Sequence, residues 1–365
     1  DRGHCLRGGA WNDQTYMFDY ISQASSFDRS ERNGFRCAKY VDAGAIPADA
    51  LAPYRSDAVR DLRREKPVSD EVFAVYREQL SYDAHDLGAR LEARDESHPD
   101  WIHETVSFNA AYGGERVRAH LFLPRRARPP FQAVLYFPGL TALQGKRSDL
   151  LEETIEFKQN LAFLPKSGRV LIHPVYKGTY ERGADSDLLA QPGTRETTTW
   201  RIQLVQDARR SIDYLQSRKD IDASRIGYYG FSWGGRIASL VLAVEPRLKV
   251  AVVCSGGLQS VLRFRPEVDP INFVGRVRTP TLMLHGRYDL AVPFETDARP
   301  MYELLGTPAA DKRLYLVDSD HWIPRNDIIR ESLAWLDKYL GPVEPGGAAT
   351  PQASARSRPD ATGRE

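Results

Sequence analysis

The chain has 365 residues, 42% of them hydrophobic and 27% charged, which is enough to close a sizeable core and excludes wholesale disorder. Lys+Arg 50 against Asp+Glu 49 leaves a net charge of +1, which argues against a nucleic-acid-binding stripe or an acidic tail as its main business. No apolar run approaches the ~18–20 residues of a membrane span, so no membrane partner is expected within this chain.

The chain opens on Asp1-Arg2-Gly3-His4, without an initiator Met or a basic-then-apolar signal segment, and reads as part of a longer or processed protein. The compartment is therefore open, cytoplasmic or extracytoplasmic. Residues 1–40 are rich in Gly, Asn, Arg and aromatics and show no helical period. The three cysteines, Cys5, Cys37 and Cys254, are too few and scattered for a disulfide framework or a zinc site. They read as unrelated thiols, with a Cys5–Cys37 bridge in an oxidising compartment as the alternative. Residues 41–100 read as a linker with helices. One helix is expected near Ser69-Asp70-Glu71, where the serine hydroxyl can accept a free N–H of the first turn.

Next come Ile102–Asn109 and Arg116–Leu123 around Gly113-Gly114, the pattern of an antiparallel hairpin. Short apolar runs follow at Ala133–Phe137, Arg169–His173, Arg225–Tyr229, Val250–Cys254, Thr281–His285 and Arg313–Val317. They are continuous rather than alternating, as strands covered on both faces must be. Helical segments separate most of them: Leu204, Ala208, Ile212 and Leu215 share one face, and Ile237–Val244 stops before Pro246. Strands alternating with helices predict an α/β fold with a mostly parallel sheet, helices on both faces and an antiparallel N-terminal hairpin. The tail 341–365 is rich in Pro and Gly and nearly free of large apolar residues, so disorder is expected there.

The chemistry concentrates in Gly230-Phe231-Ser232-Trp233-Gly234, the only G-x-S-x-G of the chain, between a predicted strand and a predicted helix. Glycines are needed because the turn is tight, and the strained serine projects its hydroxyl while the Trp233 N–H is aimed at an oxyanion. A serine hydroxyl is a poor nucleophile without an oriented base. Asp289 follows 57 residues later and His321 32 residues after that, each just beyond a predicted strand, where open α/β sheets place their sites. Asp318 and Asp320 lie too close to His321 in sequence to reach its far nitrogen, and His285 reads as a structural strand-end residue. The second oxyanion donor is expected in Phe137-Pro138-Gly139-Leu140-Thr141, at the N–H of Leu140, with Thr141 next. Tyr176, Tyr180 and Trp322 are candidate substrate-contacting side chains. The bland alternative for the first two is a tethered loop with Glu181 and Arg182 paired internally.

Residues 101–340 resemble the α/β-hydrolase family, in its dienelactone hydrolase, acetyl xylan esterase and prolyl oligopeptidase branch. The resemblance is carried by Gly230-Phe-Ser-Trp-Gly-Gly235, His285-Gly-Arg-Tyr-Asp289 and His321. It implies a catalytic domain over 101–340 that needs no cofactor or metal and passes through an acyl-enzyme. Ser232 would attack, His321 carry the proton, and Asp289 orient the imidazole. Leu6-Arg-Gly-Gly-Ala-Trp11 and Asn33-Gly-Phe-Arg36 resemble the closing segment of the formylglycine-generating (sulfatase-modifying factor) fold, as in bacterial multidomain serine/threonine kinase fusions. That segment lacks the family's copper-binding cysteines near its Arg-Gly-Gly, so no such activity is implied.

The leading expectation is a serine carboxylesterase acting on a small-molecule, short-chain acyl ester, because the insertion Tyr176–Thr199 is polar and offers no lid for a fatty chain. A serine peptidase of the prolyl oligopeptidase type is the first alternative, although the residues before the hydrolase are too few for a propeller. A catalytically idle binding module of a signalling protein is the second. Retention of Ser, Asp and His in order argues against it.

Overall fold

The continuous apolar runs become strands, buried on both faces except for Arg313–Val317, which is half-buried at the sheet edge. The structure, a computed structural model, describes residues 59–183 and 191–343 and the backbone of two short paired strands, β1 (His4–Arg7) and β2 (Ile21–Ala24). The main sheet contains β3 (Arg90–Asp95), β4 (Trp101–Asn109), β5 (Arg116–Pro124), β6 (Phe131–Phe137), β7 (Val170–Pro174), β8 (Ile221–Phe231), β9 (Leu248–Cys254), β10 (Thr281–Gly286) and β11 (Lys312–Val317). Their spatial order is β11-β10-β9-β8-β6-β7-β5-β4-β3. From β7 through β11 all pairings are parallel, while β3, β4 and β5 add an antiparallel flank. Gly113 and Gly114 take φ of 61° and 64° in the β4–β5 turn, a region an L side chain resists.

The helices are α1 (Asp70–Gln79), α2 (Thr141–Gln144), α3 (Ile155–Asn160), α4 (Phe163–Lys166), α5 (Arg195–Ser217), α6 (Trp233–Val244), α7 (Ile271–Val274), α8 (Arg299–Leu304) and α9 (Arg325–Leu340). Strand side chains alternate between two cores. On one face Ala133, Leu135 and Phe137 meet Leu204, Ala208, Ile212 and Leu215 of α5 and Ile237 and Leu240 of α6. On the other, Val134 and Tyr136 meet Phe157 of α3, Leu164 of α4 and Trp335 and Leu336 of α9. Each fully buried Leu or Phe contributes about 1.5–3 kcal/mol relative to exposure. The layering is that of the α/β-hydrolase fold, as expected.

Two readings need correction. The linker expected over residues 41–100 is, from Val59 onward, part of the folded unit. Leu62, Phe73 and Leu80 are buried in the α5–α6 core, and Arg60 pairs with Asp269 at 3.0 Å. Ser69 does cap α1, accepting the Val72 N–H at 3.4 Å. The sheet also starts earlier than the hairpin, at β3, whose six residues are all exposed and therefore carry no apolar signature. The expected tail disorder beyond residue 343 and the Cys5–Cys37 alternative lie outside the described residues. Cys254 is a buried free thiol.

Candidate active site

Four loops at the carboxyl ends of the parallel strands converge. The turn from β8 into α6 holds Ser232 at φ 52° and ψ −107°. A non-glycine residue in such a region costs on the order of 1–3 kcal/mol and persists only when its surroundings enforce it. Here the Ser232 N–H donates to Cys254 O at 2.9 Å, and the Gly234 N–H donates to Pro138 O at 2.9 Å. A Cβ on Gly234 would stand 2.0 Å from Phe137 O, and one on Gly230 would stand 2.7 Å from Gly234 O. The elbow is thus pressed against the end of β6, and glycine at these positions is a steric requirement.

His321 arrives on the loop after β11 and Asp289 on the loop after β10. The His321 Nε2 lies 2.8 Å from Ser232 Oγ, and its Nδ1 lies 2.7 Å from Asp289 Oδ2. The Asp289 Oδ1 accepts the Val292 N–H at 2.9 Å, which leaves Oδ2 to face the imidazole. Burial pushes the Asp289 carboxyl up. His321, His285 and the Val292 N–H more than offset that, holding it below the usual carboxylate range. An ionised Asp289 fixes the tautomer: Nδ1 carries the proton and donates to Asp289, and Nε2 is free to accept from the serine hydroxyl. The backbone of His321 is held too. Ser255, itself at φ 50°, donates its hydroxyl to His321 O at 2.8 Å.

The competing groups are engaged elsewhere. Asp318 binds Arg287 at 2.8 Å, and Asp320 Oδ1 accepts the Trp322 N–H at 2.9 Å. His285 is sealed in the core, and its Nε2–H donates to Val292 O at 2.9 Å. It is the strand-end strut the sequence suggested.

Trp233 is the first residue of α6, and Leu140 immediately precedes α2 with its side chain partly exposed. Trp322 packs at a tilt against Phe231 with ring centroids 5.0 Å apart, and Phe231 lies 5.4 Å from the His321 ring. These rings form an apolar wall beside the imidazole. Tyr176 is a correction. It is fully buried, stacked on Phe137 at 4.0 Å, and its hydroxyl donates to Tyr136 O at 2.8 Å. It supports the end of β6 from within the core. Tyr180 is half-buried. Its ring packs over Gly145 and beside His173, and it lines a small cavity with Thr141 and Glu156. The loop between them is tethered: Arg182 pairs with the buried Asp207 at 2.6 Å, and Glu181 pairs with Arg118 at 3.0 Å.

Sequence reasoning missed Glu156, Ser255 and Tyr136. Glu156 sits in a polar stretch indistinguishable from any solvated helix start. In the fold it is buried and bonds to Tyr136, Gly139 and Thr141.

Comparison with known proteins agrees with this architecture. Residues 152–312 match the Dienelactone hydrolase family. The chain is 30% identical over 190 residues to Cutinase 2 of Thermobifida cellulosilytica, covering 47% of this chain and 68% of the cutinase. It is 30% identical over 174 residues to YtaP of Bacillus subtilis (strain 168), covering 46% of this chain and spanning only 56% of that relative. Among solved structures, the acetyl xylan esterase from Paenibacillus sp. R4 superposes with a TM-score of 0.58 at 19% identity, over 76% of this chain and 98% of that one. Nothing in these comparisons supports the resemblance of residues 1–40 to the formylglycine-generating fold. By its sheet, its elbow and these relatives, the chain belongs to the dienelactone hydrolase family, within the α/β-hydrolase fold.

Proposed function

We propose that this chain is a serine carboxylesterase that cleaves short-chain acyl esters through Ser232, His321 and Asp289. One observation carries the reading: the continuous hydrogen-bonded line from Ser232 Oγ through both ring nitrogens of His321 to Asp289 Oδ2, at 2.8 and 2.7 Å. Serine attacks the ester carbonyl while Nε2 takes its proton, and the imidazolium is stabilised by the Asp289 carboxylate. The tetrahedral oxyanion is received by the N–H groups of Leu140 and Trp233, each worth roughly 10²–10³-fold in kcat where such donors have been removed. His321 then returns the proton to the leaving alkoxide, and water repeats the sequence on the acyl-enzyme. Two features support a short acyl group. The described part of the Tyr176–Thr199 insertion is a tethered polar loop, and among the described residues Phe231 and Trp322 form an apolar wall beside His321.

The test is labelling and turnover together. A fluorophosphonate should modify Ser232, and Ser232→Ala should lower kcat toward p-nitrophenyl acetate by ~10⁴-fold or more. Labelling at another residue, or turnover largely retained, refutes the assignment. A dipeptide p-nitroanilide assayed alongside separates an esterase from a peptidase, and silence toward both marks an idle module.

A further inference from the structure

A turn that follows a strand has no ladder of its own to hold it, and its backbone groups must find partners elsewhere. The turn after β6 is tied to the elbow in front, where Pro138 O accepts the Gly234 N–H at 2.9 Å. Behind, it is tied to one side chain from a different element. The Glu156 Oε1 accepts the Gly139 N–H at 3.1 Å and the Tyr136 hydroxyl at 2.5 Å, and its Oε2 accepts the Thr141 hydroxyl at 3.0 Å. Thr154 fixes the start of α3, its Oγ1 accepting the Phe157 N–H at 3.1 Å, so the carboxyl arrives on an anchored helix.

The arrangement is an expensive one. Glu156 is buried, and no Lys, Arg or His among the described residues forms an ion pair with it. Burial pushes its carboxyl above the usual range. An apolar residue in the same place would avoid that desolvation, so fold stability alone does not account for a carboxyl here. Its three donors have one thing in common: all belong to the end of β6 or the turn that leaves it. Gly139 and Thr141 bracket Leu140, and a Cβ on Gly139 would come within 2.9 Å of Glu156 Oε2.

We infer that Glu156 is a positioning residue for the oxyanion turn, holding Gly139 and Thr141 so that the intervening Leu140 N–H faces the tetrahedral intermediate. The inference deepens the ester-hydrolase reading and rests on it. The clamp works through hydrogen bonds. Glutamine preserves it, since its amide oxygen accepts from Gly139 and Tyr136 while its amide nitrogen donates to the Thr141 hydroxyl, which can turn to accept.

The experiment compares Glu156→Ala and Glu156→Gln with the unaltered chain, using p-nitrophenyl acetate and a methyl trifluoromethyl ketone. Ser232 Oγ adds to the ketone carbon, its proton passes to His321, and the carbonyl oxygen becomes a bound oxyanion. Expected is a ~10²-fold fall in kcat for folded Glu156→Ala, with KM within ~3-fold and ketone affinity falling in parallel with kcat/KM. Glu156→Gln should stay within ~3-fold on every measure. Should Glu156→Ala not accumulate as folded protein, Tyr136→Phe combined with Thr141→Val removes two of the three donors. It should show the same parallel losses at ~10-fold. Unchanged kcat in the folded variant, or lost kcat with undiminished ketone affinity, overturns the clamp. A loss in Glu156→Gln equal to that in Glu156→Ala overturns it too. Absence of turnover in the unaltered chain overturns the ester-hydrolase reading and the clamp together, whereas turnover insensitive to Glu156 overturns the clamp alone.

Discussion

His173 ties the stability of this fold to pH. Its ring is sealed beside β6, with ring centroids 5.0 Å from Tyr136 and 5.9 Å from Tyr180. Burial pushes it down to about 4, and a 3.2 Å contact with Pro174 O does not compensate for the lost water. In the unfolded chain the same ring titrates near ~6.5. Below that pH the unfolded state binds a proton that the folded state refuses. Stability is therefore complete above ~6.5 and falls as the pH drops toward the folded value. At pH 5 the loss from His173 is about 2 kcal/mol. His120 is held down to about 2, by burial first and then by His103, and adds about 2 kcal/mol more at the same pH. Urea unfolding at pH 7.5 and pH 5.0 measures the sum. The unaltered chain should lose about 4 kcal/mol through these two rings, and His173→Gln only about half of that. Equal losses in the two proteins would show that His173 takes up its proton in the folded state, and the burial argument would fail.

Gly234→Ala should reduce kcat by ~10²-fold or more, because its Cβ would stand 2.0 Å from Phe137 O and the elbow must shift to admit it. Activity equal to that of the unaltered chain would mean the close approach is dispensable. For p-nitrophenyl esters, kcat/KM should peak between acetate and butyrate and fall steeply by octanoate. An apolar tunnel would instead add about 0.8 kcal/mol for each buried methylene, so a profile rising to decanoate would reveal one.

The meeting of Ser232, Asp289 and His321 was legible before any coordinates, because three independent signals coincided. The elbow's glycines mark a backbone conformation, the chain order matches the fold, and each residue follows a continuous apolar run. Strand positions were legible for the same reason: β6 to β10 are covered on both faces and spell that out in Val, Ile and Leu. Where a strand is exposed along its whole length and carries one large apolar side chain, as β3 does, composition says little, and it reads as linker. The misreading of Tyr176 has a different cause. An aromatic in a loop at the carboxyl edge can face the ligand or the core, and only the partner of its ring decides. Tyr176 found Phe137. Glu156 was invisible because its meaning lies in contacts with residues 15 to 20 positions upstream, across an intervening turn and a short helix.

The polar character that hid β3 has a use of its own. Among the described residues it is the last strand on its side of the sheet, so one row of its backbone donors and acceptors has no described neighbour. Such a rim is a template onto which a strand from another molecule can add. Arg90, Glu92, Arg94 and Asp95 surround the lone exposed Leu91, and Arg94 is drawn back onto Glu96 and Glu104. A foreign strand would have to lie along charges of both signs and find one leucine to cover. The register shift between Leu91 and Ala93 breaks the regular spacing it would need to match. The cheapest route to edge-on polymerisation is closed at this rim, and a chain that replaced those charges with Val or Ile would open it.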